Sequence, residues 1–259
     1  MTTIDHIEVL GVNIHPIRIK DLHQQIDKFI EDERHALILN VNVNCLNIAY
    51  KNTWLRSFLN KSDIVFCDGA GVMFGAKLLG KTIPERITYA DWIWQLAELA
   101  SDKDYSFFLL GAMPGIADLA AVKLVDKFPD LKILGTHHGY FDKSIGSVEN
   151  EIIIKEINKL SPNILILGFG MPDQERWLME NWNRFDSNIA LTGGAVFDYV
   201  SGELRRAPNI LTRNKMEWLG RLFIEPIRLW KRYLIGNPLF IWRVLKQRFG
   251  FVTFSEDIE

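Results

Sequence analysis

The stretch NILILGFG, residues 163–170, decides the fold. Four consecutive branched apolar residues end in a glycine-containing turn, and the pattern of a helix follows directly. A short apolar run bounded by turn signals is typical of a strand that is buried on both faces of a sheet. Five further runs have this character: HALILNV (35–41), DIVFC (63–67), YSFFLLG (105–111), LKILGTHHG (131–139) and NIALTGG (188–194).

Segments with helical spacing and length, such as residues 114–128 and 147–160, separate these runs. Buried strands that alternate with helices are the signature of a parallel sheet covered on both faces. The sequence therefore predicts an α/β fold with a doubly wound, Rossmann-like and mainly parallel sheet.

The chain changes character near residue 203. Residues 205–250 carry eleven Lys or Arg against two acidic residues, a net charge of +9, whereas the remainder carries −11. This part shows no β-like alternation. It predicts two helices, roughly 215–234 and 238–249, with a break at the Gly-Asn-Pro sequence of residues 236–238. We therefore predict a Rossmann-like domain over residues 1–203 and a basic helical appendage over residues 204–259.

Composition sets further bounds. With 48% hydrophobic and 24% charged residues, the 259-residue chain can form a core without crosslinks. Its two cysteines, Cys45 and Cys67, allow at most one disulfide, and we expect the chain not to be secreted. The first residues contain acids and no apolar signal-peptide core. No apolar run reaches the length of about 18 residues that a membrane-spanning helix needs.

Several predicted strands end in glycine or a short polar residue directly before a helix. In open α/β sheets, ligands bind outside the carboxyl ends of the strands. Glycine there permits close approach to the backbone, and helix N-termini favour phosphate. The candidate positions are Asn40, Asn42, Asp68, Gly111, Gly170 and Gly194.

Asp68 follows the buried run that ends at Cys67. A carboxylate there either caps the next helix or acts chemically, and its position alone favours neither. The chemical role is that of a general base, which removes the proton of a hydroxyl nucleophile as the new bond forms.

Gly69, Gly71 and Gly75 imitate a dinucleotide fingerprint, but no second strand ending in an acid follows. A nucleotide-binding oxidoreductase stays an alternative.

Patterns for metal binding are weak. The DKD triplet at residues 102–104 precedes a strand-like run, so it lies at the amino end of that strand and is better interpreted as a solvated loop. The pair His137-His138 has no Cys or acid cluster at useful spacing. We expect no metal and no cofactor.

Without a metal ion, the negative charge of a phosphorylated leaving group must be stabilised by positively charged side chains or by amide N–H groups. Arg86 could supply one, although an isolated arginine is more often a surface residue. Glu175 stands at a predicted helix start and is interpreted as a capping residue. The role of the neighbouring Gln174 is open.

Aromatic and basic residues interleave through the appendage. Their helical spacing fits a helix at a membrane interface, where each basic residue adds about 1 kcal/mol of attraction to an anionic leaflet. Packing on the core is the second interpretation, and a nucleic-acid arm is the third. We expect an anionic membrane surface as a partner and no nucleic acid, and a homo-oligomer stays open.

A series of ordered motifs carries a family resemblance. They are LNVNVNCLNIA, CDGAGVMFGAKLLG, ERITYADW, FLLGAMPGIADLAA, GTHHGYF, PNILILGFGMPDQERW, LTGGAVFDYVSGELRRAPN and MEWLGRLFIEPIRLWKR. With these motifs the chain strongly resembles the WecG/TagA/CpsF glycosyltransferase family over about residues 38–233.

The resemblance implies an inverting, metal-independent transfer of N-acetylmannosamine, its uronate or a hexose from a UDP-sugar. The implied acceptor is an undecaprenyl-pyrophosphate-linked sugar used for surface polysaccharides. The implied location is cytoplasmic, peripheral on the inner face of the cell membrane. By the family pattern Asp68 is the catalytic base. With the strand-end positions, the substrate-binding set is Asn40, Asn42, Arg86, Asp91, Gly111, Gly170, Gln174, Gly194 and Asp198. The residues implied to close over the site on the membrane are Arg221, Arg228, Lys231 and Arg232.

Two positions depart from the family pattern. Asn40 stands where members such as the teichoic-acid enzymes have Thr, and residues 89–91 read Tyr-Ala-Asp where the pattern is Gly-x-Asp. Both changes weaken an assignment to N-acetylmannosamine, and LNVNVNCLNIA is nearer to exopolysaccharide-type members. A non-catalytic, membrane-tethered nucleotide-binding protein is the remaining alternative.

Overall fold

The computed structural model describes residues 5–206 and 217–254. Each of the six quoted apolar runs contains a strand. The strands are β1 Ile7–Val9, β2 Val12–Ile14, β3 Ala36–Val41, β4 Ile64–Cys67, β5 Ser106–Gly111, β6 Lys132–His137, β7 Ile164–Gly168 and β8 Ile189–Thr192.

The six longer strands form one sheet in the order β4-β3-β8-β7-β5-β6, and every adjacent pair is parallel. After β3 the chain forms β4, which lies on one side of β3. On the other side of β3 lies β8, which the chain enters from β7. The direction in which the chain adds strands to the sheet therefore reverses between β3 and β8. The prediction of a doubly wound, Rossmann-like sheet is confirmed.

Helices cover both faces of the sheet. They are α1 Ile19–Glu31, α2 Val43–Ala49, α3 Thr53–Asn60, α4 Ala70–Leu78, α5 Tyr89–Asp102, α6 Ile116–Lys127, α7 Val148–Leu160, α8 Asp173–Asn181, α9 Val196–Ser201, α10 Glu217–Ile224, α11 Pro226–Trp230 and α12 Gly236–Arg248. Because successive strand side chains point to opposite faces, the sheet has two apolar cores. Helices α1, α5, α6 and α9 pack on one face, and α2, α3, α4, α7, α8 and α12 pack on the other.

The N-terminal hairpin of β1 and β2 was not predicted. Its strands have three residues each, too few to show a pattern, and Leu10 and Gly11 turn the chain with positive φ angles. The residue after the hairpin covers the outer edge of β4. The backbone N–H of His15 donates to the Val65 carbonyl at 2.8 Å, and His15 Nδ1 accepts from the Val65 N–H at 2.9 Å.

The predicted helix break at residues 236–238 is wrong. A five-residue π-helical turn, Lys231–Ile235, joins α11 to α12 without interruption, and Gly236 has helical angles. Pro238 lies in the first turn of α12, where its missing N–H needs no partner. The break lies instead before Pro226, because Glu225 is forced out of the helical region by the following proline (φ −129°, ψ 59°). The predicted helix start at residue 215 lies outside the described residues.

Helix α12 packs into the same core as the sheet. Phe240 and Val244 are buried there, and the Arg243 guanidinium donates to Asn47 Oδ1 of α2 at 2.8 Å. The two-domain boundary near residue 203 stays a prediction, but this end of the appendage shares the core of the preceding domain. None of the helices within residues 5–206 and 217–254 is long and apolar enough to cross a bilayer.

Replacing Phe240 by Ala should lower the free energy of unfolding by about 3–5 kcal/mol, because a fully buried ring would leave a cavity between α12 and α4. Urea denaturation followed by circular dichroism measures the change. Phe249→Ala is the matched control, since that ring at the end of the same helix is 67% exposed. Equal stability of both variants would contradict the packing of α12.

Candidate active site

The carboxyl ends of four neighbouring strands open into one cavity of about 750 Å³. It lies over β4, β3, β8 and β7, which includes the point where the strand order reverses. Open α/β sheets bind their ligands at such a point. Residues of α10, the π-helical turn and α12 form the opposite wall.

Asp68 follows β4, the edge strand of the sheet, and lines the cavity. Its backbone N–H donates to the Val41 carbonyl at 2.9 Å, which continues the pairing of β3 and β4 beyond the strand. The carboxylate Oδ2 accepts a 3.1 Å hydrogen bond from Asn40 Nδ2. Asn40 Oδ1 in turn accepts from the Thr192 hydroxyl at 3.0 Å. An amide N–H directed at a carboxylate favours the ionised form, which is the form that a base needs.

Asn40 is 4% exposed, and its side chain links Asp68 to Thr192. Asn42 has a different local role, because its Oδ1 caps α2 by accepting from the Cys45 N–H at 3.1 Å. The first residues of α2, α4, α5 and α9 all line the cavity. Helix N-termini carry unpaired N–H groups and partial positive charge, so this wall suits an anion.

Gln174 joins two glycine turns behind the cavity wall. Its Oε1 accepts from the backbone N–H groups of Gly170 at 3.3 Å and Gly194 at 3.1 Å. Its Nε2 donates to Glu175 Oε1 at 2.7 Å. Gln174 is fully buried, so it shapes the cavity through Gly170 and Gly194, which do line it.

Arginines of residues 217–235, which we call the C-terminal segment, face the strand ends. Burial lowers the pKa of Arg232, Tyr233 opposes that shift, and the charges of Arg221 and Arg228 add to the lowering. The charge of Asp68 acts in the opposite direction. Three guanidinium groups are thus close enough to repel one another, and a phosphorylated ligand in the cavity would relieve that repulsion.

The structure brings most of the predicted site residues together. Those that line the cavity are Asn40, Asn42, Asp68, Arg86, Gly170, Gly194, Arg221, Arg228 and Arg232. Those that do not line it are Asp91, Gly111, Gln174, Asp198 and Lys231. The chemical roles of all these residues stay predictions.

The residues outside the cavity wall have other contacts. Asp91 accepts a 2.7 Å hydrogen bond from Arg206, which does line the cavity. Asp198 is half-buried; burial raises its pKa, and the nearby Arg228 lowers it. Lys231 lies with its amino group 5.5 Å from the centre of the Trp230 ring.

Gly111 allows β5 and β7 to approach each other. A Cβ added there would lie 2.5 Å from the backbone of Gly168, and the φ of +155° also favours glycine. The expectation that Gly111 contacts substrate is therefore not supported by its place in the sheet.

Two of the three glycines of the apparent dinucleotide fingerprint are explained by packing. A Cβ at Gly71 would lie 2.5 Å from the Val43 side chain, and one at Gly75 would lie 2.6 Å from Phe240. For metal binding, the described part of the chain contains no group of three or more His, Cys, Asp or Glu side chains that could hold an ion. The DKD triplet lies at the amino end of β5, as predicted.

Sequence reasoning missed several residues of the cavity wall. They are Thr88, Tyr89, Tyr199, Arg206 and Trp218. Arg206 and Arg221 lie on the ring of Tyr199, each 5.5 Å from its centre. All five lie within the motifs that carry the family resemblance, and Tyr89 also stands at a departure from the family pattern.

Glu175 was interpreted as a capping residue, but the structure shows no side-chain cap hydrogen bond at the start of α8. Glu175 is fully buried, one carboxylate oxygen accepts from Gln174, and the other has no partner among the described residues. Burial raises the pKa of Glu175 to about 7, and the hydrogen bond from Gln174 offsets only part of that shift.

Stability should therefore fall as the pH rises from about 4.5, the ordinary pKa of this carboxyl, to about 7. In that window the unfolded chain has already lost the proton that the folded chain retains. Glu175→Gln should remove the fall, which amounts to roughly 3 kcal/mol at most. Urea denaturation at pH 5 and pH 8 measures it, with the exposed Glu98→Gln as the control. An unchanged pH dependence in Glu175→Gln would contradict this assignment.

The cavity sets arginines and helix N-termini around the carboxyl ends of an α/β sheet, an arrangement that suits an anionic ligand. Residues 7–252 match the glycosyl transferase WecG/TagA/CpsF family. The chain belongs to this family and is a glycosyltransferase, which confirms the resemblance read from the sequence motifs.

Curated relatives extend over nearly the whole chain. The chain is 26% identical over 246 residues to an N-acetylglucosaminyldiphosphoundecaprenol N-acetyl-beta-D-mannosaminyltransferase of Staphylococcus aureus strain NCTC 8325. The alignment covers 93% of both proteins. The protein of the same name from strain MW2 is 25% identical with the same coverage.

Proposed function

We propose that this glycosyltransferase moves a sugar from a UDP-sugar to an undecaprenyl-diphosphate-linked sugar, with inversion and without a metal ion. Family membership supports the reaction class, and the names of the relatives support a lipid-linked acceptor. The observation that carries the proposal is the position of Asp68. This strand-end carboxylate lines the same cavity as arginines of the C-terminal segment.

In the proposed reaction, an acceptor hydroxyl attacks the anomeric carbon of the donor. The hydroxyl oxygen forms the new glycosidic bond, and its proton passes to Asp68. The bond between the anomeric carbon and the β-phosphate oxygen breaks, and its electron pair leaves with UDP. Attack from the side opposite UDP inverts the anomeric configuration.

Positive charge for the departing UDP comes from two directions. Arg221, Arg228 and Arg232 contribute from the C-terminal wall, and Arg86 contributes from the segment between α4 and α5. The N-termini of α4 and α9 add backbone N–H groups. Such fixed donors stabilise the charge that develops on the phosphate as the bond breaks.

The donor sugar is N-acetylmannosamine, its uronate or a hexose in this proposal. The relatives' names support N-acetylmannosamine and an N-acetylglucosaminyl diphosphate acceptor. Asn40 and Tyr89 both line the cavity and both depart from the family pattern. We therefore expect the sugar preference to differ from that of the relatives.

The oxidoreductase alternative loses its basis, because packing explains Gly71 and Gly75 and the family is one of glycosyltransferases. The non-catalytic alternative differs from our proposal in predicting nucleotide binding without product.

Replacing Asp68 by Asn should lower the rate of sugar transfer by roughly 10²- to 10⁴-fold, which is the usual contribution of a general base. Binding of UDP should be retained, because the amide keeps the size of the carboxylate and can still accept from Asn40. Mass spectrometry of the lipid product and calorimetry with UDP measure the two effects. Asp104→Asn is the matched control, because Asp104 precedes β5 and lies at the amino ends of the strands. A full transfer rate in Asp68→Asn would overturn the assignment of the base.

We also propose that the protein works at the inner face of the cell membrane as a peripheral protein. Exposed apolar side chains extend along α10, α11 and the π-helical turn, with Phe223 75% and Ile227 92% exposed. Arg228 and Lys231 lie on the same segment. An apolar surface beside basic residues suits the interface of an anionic leaflet, where the lipid-linked acceptor lies.

The double substitution Phe223→Asp and Ile227→Asp should weaken binding to phosphatidylglycerol-containing vesicles by about 10-fold or more, since two apolar side chains no longer enter the interface. Vesicle sedimentation measures the partition coefficient. The control pair Val148→Asp and Ile152→Asp places the same charges on exposed positions of α7. Equal losses in both double variants would speak against a specific membrane-binding face.

A further inference from the structure

The hydroxyl of Tyr89 is a buried polar group without a hydrogen-bond partner among the described residues. The side chain is only 3% exposed, yet Tyr89 lines the cavity. Native proteins satisfy the large majority of their buried hydroxyl groups, because an unpaired one costs stability. An unpaired donor in the wall of a ligand cavity is explained if the ligand supplies the partner.

The aromatic ring of Tyr89 is held in place on several sides. Tyr89 is the first residue of α5, and the N–H of Ile87 just before it bonds to the end of β4 at 3.0 Å. The ring meets Trp92 edge-on with 5.1 Å between centres and lies 6.2 Å from the ring of Phe66. The hydroxyl therefore has a fixed position before any ligand binds, which lowers the entropic cost of using it.

Asp68 lines the same cavity as Tyr89. Burial raises the pKa of Tyr89 well above 10, and the charge of Asp68 raises it further. The hydroxyl stays protonated at any physiological pH and is available as a donor. The neighbouring Thr88 hydroxyl is also buried without a partner among the described residues, and it lines the same cavity.

We propose that Tyr89 is a specificity-determining residue whose hydroxyl donates a hydrogen bond to the acceptor sugar. This inference rests on the proposed function, in which Asp68 takes the proton of the attacking hydroxyl. With that hydroxyl at Asp68, the adjacent hydroxyl of the same sugar ring is the group that Tyr89 meets.

Tyr89→Phe removes the one hydroxyl and leaves the ring contacts intact. The probe is N-acetylglucosaminyl diphosphate on a short, water-soluble prenyl chain, and calorimetry with the full chain measures its Kd. We expect the Kd to rise roughly 10-fold, the usual effect of losing one neutral hydrogen bond to a ligand. The affinity for UDP and the melting temperature should not fall, because the lost hydroxyl has no partner within the described protein.

Acceptor analogues that lack a single ring hydroxyl identify the partner. For the analogue missing the hydroxyl that Tyr89 contacts, wild type and Tyr89→Phe should bind within about twofold of each other, since the hydrogen bond is absent from both. Tyr105→Phe is the matched control. Tyr105 is another buried tyrosine, but it precedes β5 and so lies at the amino ends of the strands, away from the cavity. Loss of its hydroxyl should leave every Kd unchanged.

Two results would overturn the recognition role: an unchanged Kd for the parent acceptor in Tyr89→Phe, or no acceptor binding by the wild-type chain. Equal losses on every analogue would also overturn it, because they indicate a general disturbance of the site. The proposed function fails separately. If the acceptor binds through Tyr89 but no product forms with any UDP-sugar, the proposal of sugar transfer is wrong, and the proposal that Tyr89 recognises the acceptor still holds.

Discussion

The site depends on an ionisable carboxylate held at the end of a buried strand. An isolated charge in such surroundings is costly, and Asp68 is stabilised by the amide of Asn40, which in turn bonds the hydroxyl of Thr192. These residues come from or directly follow β4, β3 and β8, which are adjacent in the sheet. The chain of hydrogen bonds thus crosses the point where the strand order reverses. It forms only when the three strands pair in the observed register.

The charge asymmetry of the sequence has a structural counterpart in this cavity. Arginines of the basic C-terminal segment face the strand-end carboxylate of an otherwise acidic body. Helix α12 holds that segment in place through Phe240 and Val244 in the core and through Arg243 on α2. On the same segment Phe223 and Ile227 are exposed and do not line the cavity. One stretch of chain can therefore serve both the phosphate-bearing substrate and, in our proposal, the membrane that carries the acceptor.

The sequence was sufficient for the features that depend on local pattern. Each buried strand is a short apolar run, and the polar residues that follow β3 and β4 meet at one edge because parallel strands end together. Features that depend on tertiary packing were not predictable in this way. Three-residue strands show no periodicity. Pro238 does not end a helix, because it follows the π-helical turn and lies in the first turn of α12, where proline is tolerated. The burial of Glu175 and Tyr89 likewise could not be predicted, because both residues lie in the first turn of a helix, where the sequence pattern does not distinguish buried from exposed positions.

The central claim is that the Asp68 cavity joins a sugar from a UDP-sugar to a lipid-linked sugar. The most direct measurement incubates the wild-type chain with a panel of UDP-sugars and an N-acetylglucosaminyl diphosphate lipid, and follows the lipid by mass spectrometry. Our account predicts that the lipid gains the mass of one sugar with at least one donor, in the presence of a metal chelator. Release of UDP without any mass gain on the lipid, for every donor in the panel, would contradict it.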